Sequence, residues 1–483
     1  MVGITDSYRT HADTLPDKLA IRCGEEAVNY GDWHERIERT ANWLHSLEAS
    51  RKVIAFLIPN GIPFLQLFAG AAHAGWTALP LDSKWTKQEI AVRLEVARPS
   101  IVIGPDEMFA ERLNPITLPE CLEKISHMPT GCMAHLYSQS GPFYMGFTSG
   151  TTGLPKAFVR SQRSWVDSFQ CSEKDFGVLG TETILVPGSL ISSHFLYGAI
   201  HALHAGATVI LLEKFNALSV RELLESGSIH TVYVVPTMVE ALIREGISDL
   251  PCAVKAISSG AKWQESVKAK LVQLGFQPFE LYGASELSFV TVMAEGETSG
   301  HPACVGKACI GVGIEIRDND GTEVQAGETG KIFVRSGLLF DGYLGENHNL
   351  EDIRDERGFI TVDDMGWLDD RGYLHVAGRE KNMILYGGLN IFPEEIERVL
   401  GSCPHVDEVA VIGRKDAYWG EIAVAVVRGK TTKLELQRWC KSQGLAAYKV
   451  PRQFYFIEEM PYTTSGKVAR AELRDRFGKE RSE

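Results

Sequence analysis

From residue 148 to residue 156 the chain reads Thr148-Ser149-Gly150-Thr151-Thr152-Gly153-Leu154-Pro155-Lys156. Hydroxyl side chains, two glycines and a lysine are packed into one short stretch. Glycine lets a backbone turn tightly and come close to a ligand, and N–H groups converging on one concavity bind anions. The hydroxyls add donors or hold a metal, and Lys156 supplies positive charge, so the stretch reads as a loop that wraps a polyphosphate. It departs from the G-x-x-x-x-G-K-[ST] phosphate loop: Gly150 and Gly153 are too close together and Lys156 follows a proline. The competing reading, a Thr/Ser/Gly-rich surface turn, is weakened by the preceding Phe143-Tyr144-Met145-Gly146-Phe147. That apolar run predicts a buried strand delivering the loop, and strand ends are where open α/β sheets hold ligands.

Other stretches carry related chemistry. Ser258-Ser259-Gly260-Ala261-Lys262 follows a short apolar run, and Leu281-Tyr282-Gly283-Ala284-Ser285-Glu286 comes soon after. A turn of small residues lets a flat ring approach the backbone, and a tyrosine can stack on that ring. Read as a residue alone, Glu286 is a surface carboxylate. Thr361-Val362-Asp363-Asp364-Met365-Gly366 supplies acceptors for hydroxyl groups, and Gly378-Arg379-Glu380-Lys381-Asn382 is a short charged junction. Tyr386-Gly387-Gly388-Leu389-Asn390-Ile391-Phe392-Pro393 leads into a helix with proline in its first turn. Pro461-Tyr462-Thr463-Thr464-Ser465-Gly466-Lys467 puts a lysine on a glycine-containing loop. It is either an ordinary exposed lysine or a group that a small domain carries into a distant site. A lone histidine such as His194 is more often a satisfied core residue.

Taken in order, these motifs resemble those of the adenylate-forming superfamily, which includes acyl-CoA synthetases, firefly luciferase and the adenylation domains of peptide synthetases. The resemblance covers essentially the whole chain. It implies that Thr148, Ser149, Gly150, Thr151, Thr152, Gly153 and Lys156 bind the phosphates of ATP, and that Gly260, Ala261, Tyr282, Gly283 and Ala284 enclose adenine. Ser285 would meet the α-phosphate, and Glu286 with Thr151 would hold Mg²⁺. Asp364 would bind ribose, with Asp363, at a position where glycine is common, as the neighbour one residue away. Arg379 would lie near the ribose and Lys381 at a hinge pivot; Asn382 replaces a common aspartate. Gly387 and Gly388 would line a thiol tunnel, Lys467 would be the last catalytic element, and His194 would sit beside the acyl carboxylate. Gly327-Glu328-Thr329-Gly330 and Gly342-Tyr343 match a structural turn element with little chemistry of its own.

The implied activity is that of an acyl-CoA synthetase. ATP and a carboxylic acid, with a fatty acid as the leading class, give acyl-AMP and pyrophosphate, and the acyl group then passes to coenzyme A. ATP, Mg²⁺ and CoA are the implied cofactors. A stand-alone adenylation enzyme loading a carrier protein, or an aryl-acid CoA ligase, shares the same motifs. A luciferase-like oxygenase or a non-catalytic nucleotide binder is the rival from another class, and retention of Lys467 and Glu286 argues against the latter. The stretch from Leu190 to Ile200 holds no aspartate to bind an amino group, which disfavours an α-amino acid substrate.

Elements that must position these residues follow from periodicity. In the first half, apolar runs alternate with helical patterns. Leu19 to Cys23 and Ala27 to Tyr30 predict a hairpin. Helices are expected over Asp32 to Leu47, Ile62 to Ala74 and Lys87 to Ala97, and strands over Val53 to Ile58, Trp76 to Leu81 and Ile101 to Ile103. After the loop, strands are expected at Thr183 to Val186, Thr208 to Leu212, Thr231 to Val235 and Ala256 to Ser258, with helices at Val220 to Glu225 and Thr237 to Arg244. This alternation favours parallel sheets. A β-rich stretch follows, at Glu315 to Arg317, Gly330 to Arg335 and Gly358 to Thr361. The last segment predicts helices at Pro393 to Leu400 and Leu434 to Gln443 around strands Val406 to Ile412 and Ile422 to Val427. The expected fold is α/β: a large N-terminal domain of α/β layers with a β-rich subdomain (1–378), a hinge (379–383) and a small mobile α+β C-terminal domain (384–483).

Composition is that of an ordinary soluble globular protein, with 44% hydrophobic and 23% charged residues. The chain has 483 residues and a net charge of −13, which argues against a nucleic-acid binder. Nine scattered cysteines without a C-x-x-C pair predict a reduced, cytoplasmic protein. No signal peptide is legible. The most apolar span, Pro63 to Leu81, is interrupted by Gln66, His73 and Gly75 and predicts a buried helix and strand, not a membrane span.

Overall fold

The computed structural model describes residues 3–109, 114–131, 141–148, 156–260, 262–263, 265–294, 296–297, 300–344, 353–387, 389–416, 418–462 and 468–478. The chain divides into two compact units. The first comprises Met1–Glu297, Val305–Gly313 and Val334–Ile360, and the second Thr298–Cys304, Ile314–Phe333 and Thr361–Glu483. The architecture is mixed α/β, with a larger N-terminal and a smaller C-terminal part.

Two sheets build the first unit. One runs in the order Gly342–Tyr343, Lys156–Ser161, Pro142–Thr148, Thr77–Pro80, Val53–Phe56, Ile101–Ile103. Its inner strands are parallel, as the alternation of strands and helices requires. The other runs from Ser288–Met293 through Phe276–Ala284, Val254–Ser259, Thr231–Val234, Thr183–Val186 and Thr208–Leu211 to the hairpin Leu19–Cys23/Glu26–Asn29. Central strands such as Thr77–Pro80 and Thr231–Val234 are buried at every position, the pattern of parallel strands covered on both faces. Helix Lys87–Ala97 starts at a capping box between Thr86 and Glu89. The apolar span after Pro63 is the buried helix Ile62–His73 followed by strand Thr77–Pro80. Among the described residues no helix is long and apolar enough to cross a membrane.

The second unit contains the antiparallel pair Asp364–Leu368 and Tyr373–Arg379, with Gly330 and Lys331 in register against Gly366 and Met365. A separate sheet follows: Leu389–Ile391, Ile384–Tyr386, Gly420–Gly429 and Val406–Asp416, with Gln453–Phe456 parallel to Gly420–Gly429. Helices Pro393–Gly401, Lys433–Ser442 and Arg470–Phe477 bury Ile396, Leu400, Leu436 and Leu473 in one core with Val411, Val424 and Val426.

One expected strand is absent. Around Gly358 the chain makes a turn: Gly358 has φ 82°, and Asp355 Oδ1 accepts from the N–H groups of Arg357 and Phe359 at 2.9 and 2.8 Å. Ile360 alone makes a bridge, to Val334. An aspartate collecting local N–H groups competes successfully with strand pairing here.

Candidate active site

The polyphosphate-type stretch is the connection of a β-hairpin. Thr148 and Lys156 face each other as the last register pair between strands Pro142–Thr148 and Lys156–Ser161. Lys156 is thereby anchored to the sheet. Its Nζ lies 5.3 Å from the centroid of the Tyr343 ring, within cation–π range. Tyr343 sits on the strand paired with Lys156–Ser161, and its hydroxyl donates to Glu286 Oε1 at 2.7 Å. Lys156 and Glu286 thus meet opposite parts of one tyrosine. Glu286 is half-buried.

The turn carrying Glu286 is pinned by a residue that sequence reasoning missed. Arg160 lies in strand Lys156–Ser161 with only 4% exposure. Its Nη1 donates to the Ser285 carbonyl at 3.1 Å, its Nη2 to the Leu338 carbonyl at 2.6 Å and its Nε to Ser164 Oγ at 3.1 Å. Burial pulls the guanidinium pKa down to about 10, opposed chiefly by the charge of Asp341. The Glu286 carbonyl accepts from Phe340 N–H at 3.0 Å, so residues 285–286 are tied to the 338–340 segment twice.

Strands Val254–Ser259 and Phe276–Ala284 run parallel, Ser258 beside Glu280 and Ser259 beside Leu281, which places the two small-residue motifs at neighbouring strand ends. Gly260 has φ 91° and open space where a Cβ would stand. Gly283 is required by close packing, because a Cβ there would lie 2.0 Å from the Ser288 carbonyl oxygen. Tyr282 and Ser285 are half-buried and Ala284 ends the strand. His194 is the second residue of helix Ser193–Ala205. Its Nε2 donates to the Val234 carbonyl at 3.1 Å, and its ring packs edge-on against Tyr233, centroids 5.2 Å apart. Burial lowers its pKa to about 4, so it is neutral near pH 7. His194 therefore has an internal partner, as a satisfied core histidine would, while staying half-buried.

In the second unit the two adjacent aspartates diverge. Asp364 is 6% exposed and accepts from Arg379 Nε at 3.0 Å, the two being register partners across antiparallel strands. Asp363 is exposed and pairs with Lys331 at 3.2 Å. Its φ of 62° is the left-handed conformation that makes glycine common there. Lys331 also pairs with Glu380 at 2.8 Å, which ties the start of the junction Glu380–Asn382 to the same strands. Lys381 is exposed in that short 3₁₀ turn. Asn382 donates to Glu394 Oε1 and accepts from Arg474 Nη2, both at 3.1 Å. An aspartate could not donate to Glu394, which accounts for asparagine at this position. Gly387 has φ 55°, and a Cβ there would meet the Trp419 ring at 3.1 Å.

Ser149, Gly150, Thr151, Thr152, Gly153, Ala261, Gly388 and Lys467 lie outside the described residues, as does the side chain of Thr148.

Residues 8–344 match the AMP-binding enzyme family and residues 395–467 the AMP-binding enzyme C-terminal domain. The chain is 45% identical over 478 residues to an uncharacterized acyl–CoA ligase, YhfT, of Bacillus subtilis (strain 168), covering 98% of both chains. It is 30% identical over 500 residues to the indoleacetate–CoA ligase of Aromatoleum aromaticum, covering 96% of both. The fold superimposes on ATP-bound MatB from Rhodopseudomonas palustris with a TM-score of 0.88 at 24% identity, over 99% of each chain. With a family match across most of its length and a relative of this identity over nearly all of it, the chain belongs to the AMP-binding enzymes, the adenylate-forming superfamily.

Proposed function

We propose that the protein is an ATP-dependent acid–thiol ligase that activates a carboxylic acid as acyl-AMP, releases pyrophosphate and transfers the acyl group to coenzyme A. One observation carries the reading. A loop lysine and a carboxylate far apart in sequence converge on Tyr343, with the carboxylate held by its hydroxyl and the lysine over its ring. Activation brings two anions together, so its main requirement is preorganised positive charge.

Lys156 and the hairpin loop bind the phosphates, and Arg160 keeps the Ser285–Glu286 turn in place. Glu286, with one carboxylate oxygen accepting from Tyr343, would hold Mg²⁺, a hard cation usually bound through a carboxylate plus phosphates. Mg²⁺ held there would supply neutralisation of phosphate charge. Tyr282 and the turn around Gly260 enclose adenine, Asp364 oriented by Arg379 accepts from ribose, and His194 lies beside the acyl carboxylate. Lys467 serves adenylation. Domain 384–483, turning about hinge 379–383, then presents Gly387 and Gly388 to the thiol.

For CoA itself the second unit offers a fitting surface. Tyr418, 82% exposed, packs edge-on against Trp419, and Trp419 stacks on Tyr386 with centroids 4.4 Å apart. Arg452 lies 5.1 Å from the Trp419 ring centroid. Aromatic faces with a guanidinium suit an adenine nucleotide bearing phosphates. A fatty acid is the leading substrate class. An aryl acid is the second reading, favoured by the indoleacetate–CoA ligase among the relatives. The described cysteines are all unpaired, in keeping with a cytoplasmic location.

The test is pyrophosphate release across a panel of alkyl and aryl acids, followed by thioester formation with CoA and with a phosphopantetheinylated carrier protein. Acid-dependent release with thioester on CoA supports the reading. Thioester only on the carrier protein would replace CoA as acceptor, and no acid-dependent release from any panel member would refute it.

A further inference from the structure

Tyr343 belongs to a Gly-Tyr pair that carries no chemistry when read as sequence. In the fold it is held on several sides. Its strand pairs with the strand that Lys156 begins, Tyr343 opposite Phe158. On either side of it, Asp341 N–H donates to the Val159 carbonyl and Leu344 N–H to the Ala157 carbonyl, both at 2.8 Å. Phe340 packs edge-on against its ring, centroids 5.0 Å apart. A tyrosine fixed in this way has little freedom, and its two functional surfaces address two different partners. The hydroxyl reaches Glu286, 57 residues earlier in the chain, at 2.7 Å; the ring face lies under Lys156 Nζ at 5.3 Å.

The terminal torsion of a glutamate is broad and weakly defined. A short charge-assisted hydrogen bond to one carboxylate oxygen removes that freedom. Groups that orient a metal-binding carboxylate in this way commonly change metal affinity or activity 10- to 100-fold when removed. The ring acts on the other charge, drawing the ammonium of a long flexible side chain to one position.

We propose that Tyr343 is a positioning residue for the metal–nucleotide complex: its hydroxyl orients Glu286 for a divalent cation, and its ring sets Lys156 for the phosphates. The inference rests on the reading of Glu286 as the Mg²⁺ residue, and the experiment separates the two. Binding of Mn²⁺, used in place of Mg²⁺, is followed by electron paramagnetic resonance with the full chain and a non-hydrolysable ATP analogue. Nucleotide binding without metal is measured by calorimetry.

Tyr343→Phe keeps the ring and loses the hydroxyl. It should weaken Mn²⁺ binding about 10-fold or more and leave metal-free nucleotide affinity unchanged. Tyr343→Leu should weaken both. Glu286→Asp withdraws the carboxylate from the hydroxyl and leaves the Tyr343 side chain intact. Combined with Tyr343→Phe it should lose little more Mn²⁺ affinity than Glu286→Asp alone, since the hydrogen bond is already broken; this pair decides the role of the hydroxyl even if Tyr343→Leu does not fold. Wild-type Mn²⁺ affinity in Tyr343→Phe, together with loss in Glu286→Gln, would overturn the role of the hydroxyl and leave Glu286 as the metal residue. Wild-type affinity in Glu286→Gln would overturn both. Equal metal-free nucleotide affinity in the Phe and Leu variants would overturn the role of the ring.

Discussion

Replacing Arg160 with methionine probes the support beneath the site. The guanidinium is almost fully buried and donates to the carbonyls of Ser285 and Leu338 and to Ser164 Oγ. Hydrogen bonds from a charged donor contribute roughly 1.5–3 kcal/mol each, so losing three removes about 5–9 kcal/mol. Against this stands the cost of burying the cation. Its pKa falls from 12.5 to about 10, and at about 1.4 kcal/mol per unit the charged form is disfavoured by roughly 3 kcal/mol, which an apolar side chain would recover. The bonds win. Arg160→Met should destabilise by about 2–6 kcal/mol, in line with removing one partner from a buried charged network. Urea unfolding followed by tryptophan fluorescence measures the loss, with an unchanged m value confirming that the folded state is otherwise intact. Pyrophosphate exchange in the folded variant should also fall, because the Ser285–Glu286 turn loses its anchor. Arg160→Lys should recover little, since a compact ammonium cannot span two carbonyls as the planar fork does. A midpoint within experimental error of wild type in Arg160→Met, or full recovery in Arg160→Lys, would refute the reasoning.

Asp364→Ala should weaken ATP binding by roughly 1–3 kcal/mol in calorimetry and leave the fold intact, whereas Asp363→Ala should change it little; the reverse ranking would move the ribose role by one residue. Lys467→Ala should slow acid-dependent pyrophosphate exchange about 10²–10³-fold while still converting supplied acyl-adenylate and CoA to thioester; equal loss of both half-reactions in a folded variant would contradict the alternation of Lys467 with the thiol loop. His201 is buried against Tyr197, both ring nitrogens without hydrogen-bond partners among the described residues, and burial, reinforced by His204, lowers its pKa from 6.5 to about 3. The unfolded chain therefore binds a proton that the folded chain refuses, so stability falls as pH drops from about 6.5 towards 3, at up to about 1.4 kcal/mol per pH unit. His201→Phe should flatten that slope in thermal unfolding between pH 6.5 and 4, and an unchanged slope would assign the acid sensitivity to other groups.

Much of this was legible in the sequence because the relevant signals are local. Apolar runs such as Ile101–Ile103 and Thr183–Val186, and the helix Lys87–Ala97, have the expected bounds, since burial on both faces and a capping box leave plain marks. Convergence was not legible. Gly342-Tyr343 reads as a turn element because Glu286, its partner, lies 57 residues away. Arg160 carried a signal that went unused: a lone charge in the otherwise apolar run Ala157-Phe158-Val159, which a buried strand tolerates only if every donor is satisfied. Asp363 shows the opposite case. Its departure from glycine was visible, and the φ of 62° supplies the physical reason. The strand expected at Gly358 to Thr361 failed because the Asp355 side chain captures nearby N–H groups, a local competition that apolar periodicity does not register.

The most direct test of the central claim is the identity of the nucleotide product. Incubating the protein with ATP, Mg²⁺, CoA and an accepted acid, and resolving the products by ³¹P NMR, should give AMP and pyrophosphate in equal amounts, matched by thioester and dependent on the acid. Formation of ADP and inorganic phosphate, or of AMP without the acid, would contradict it.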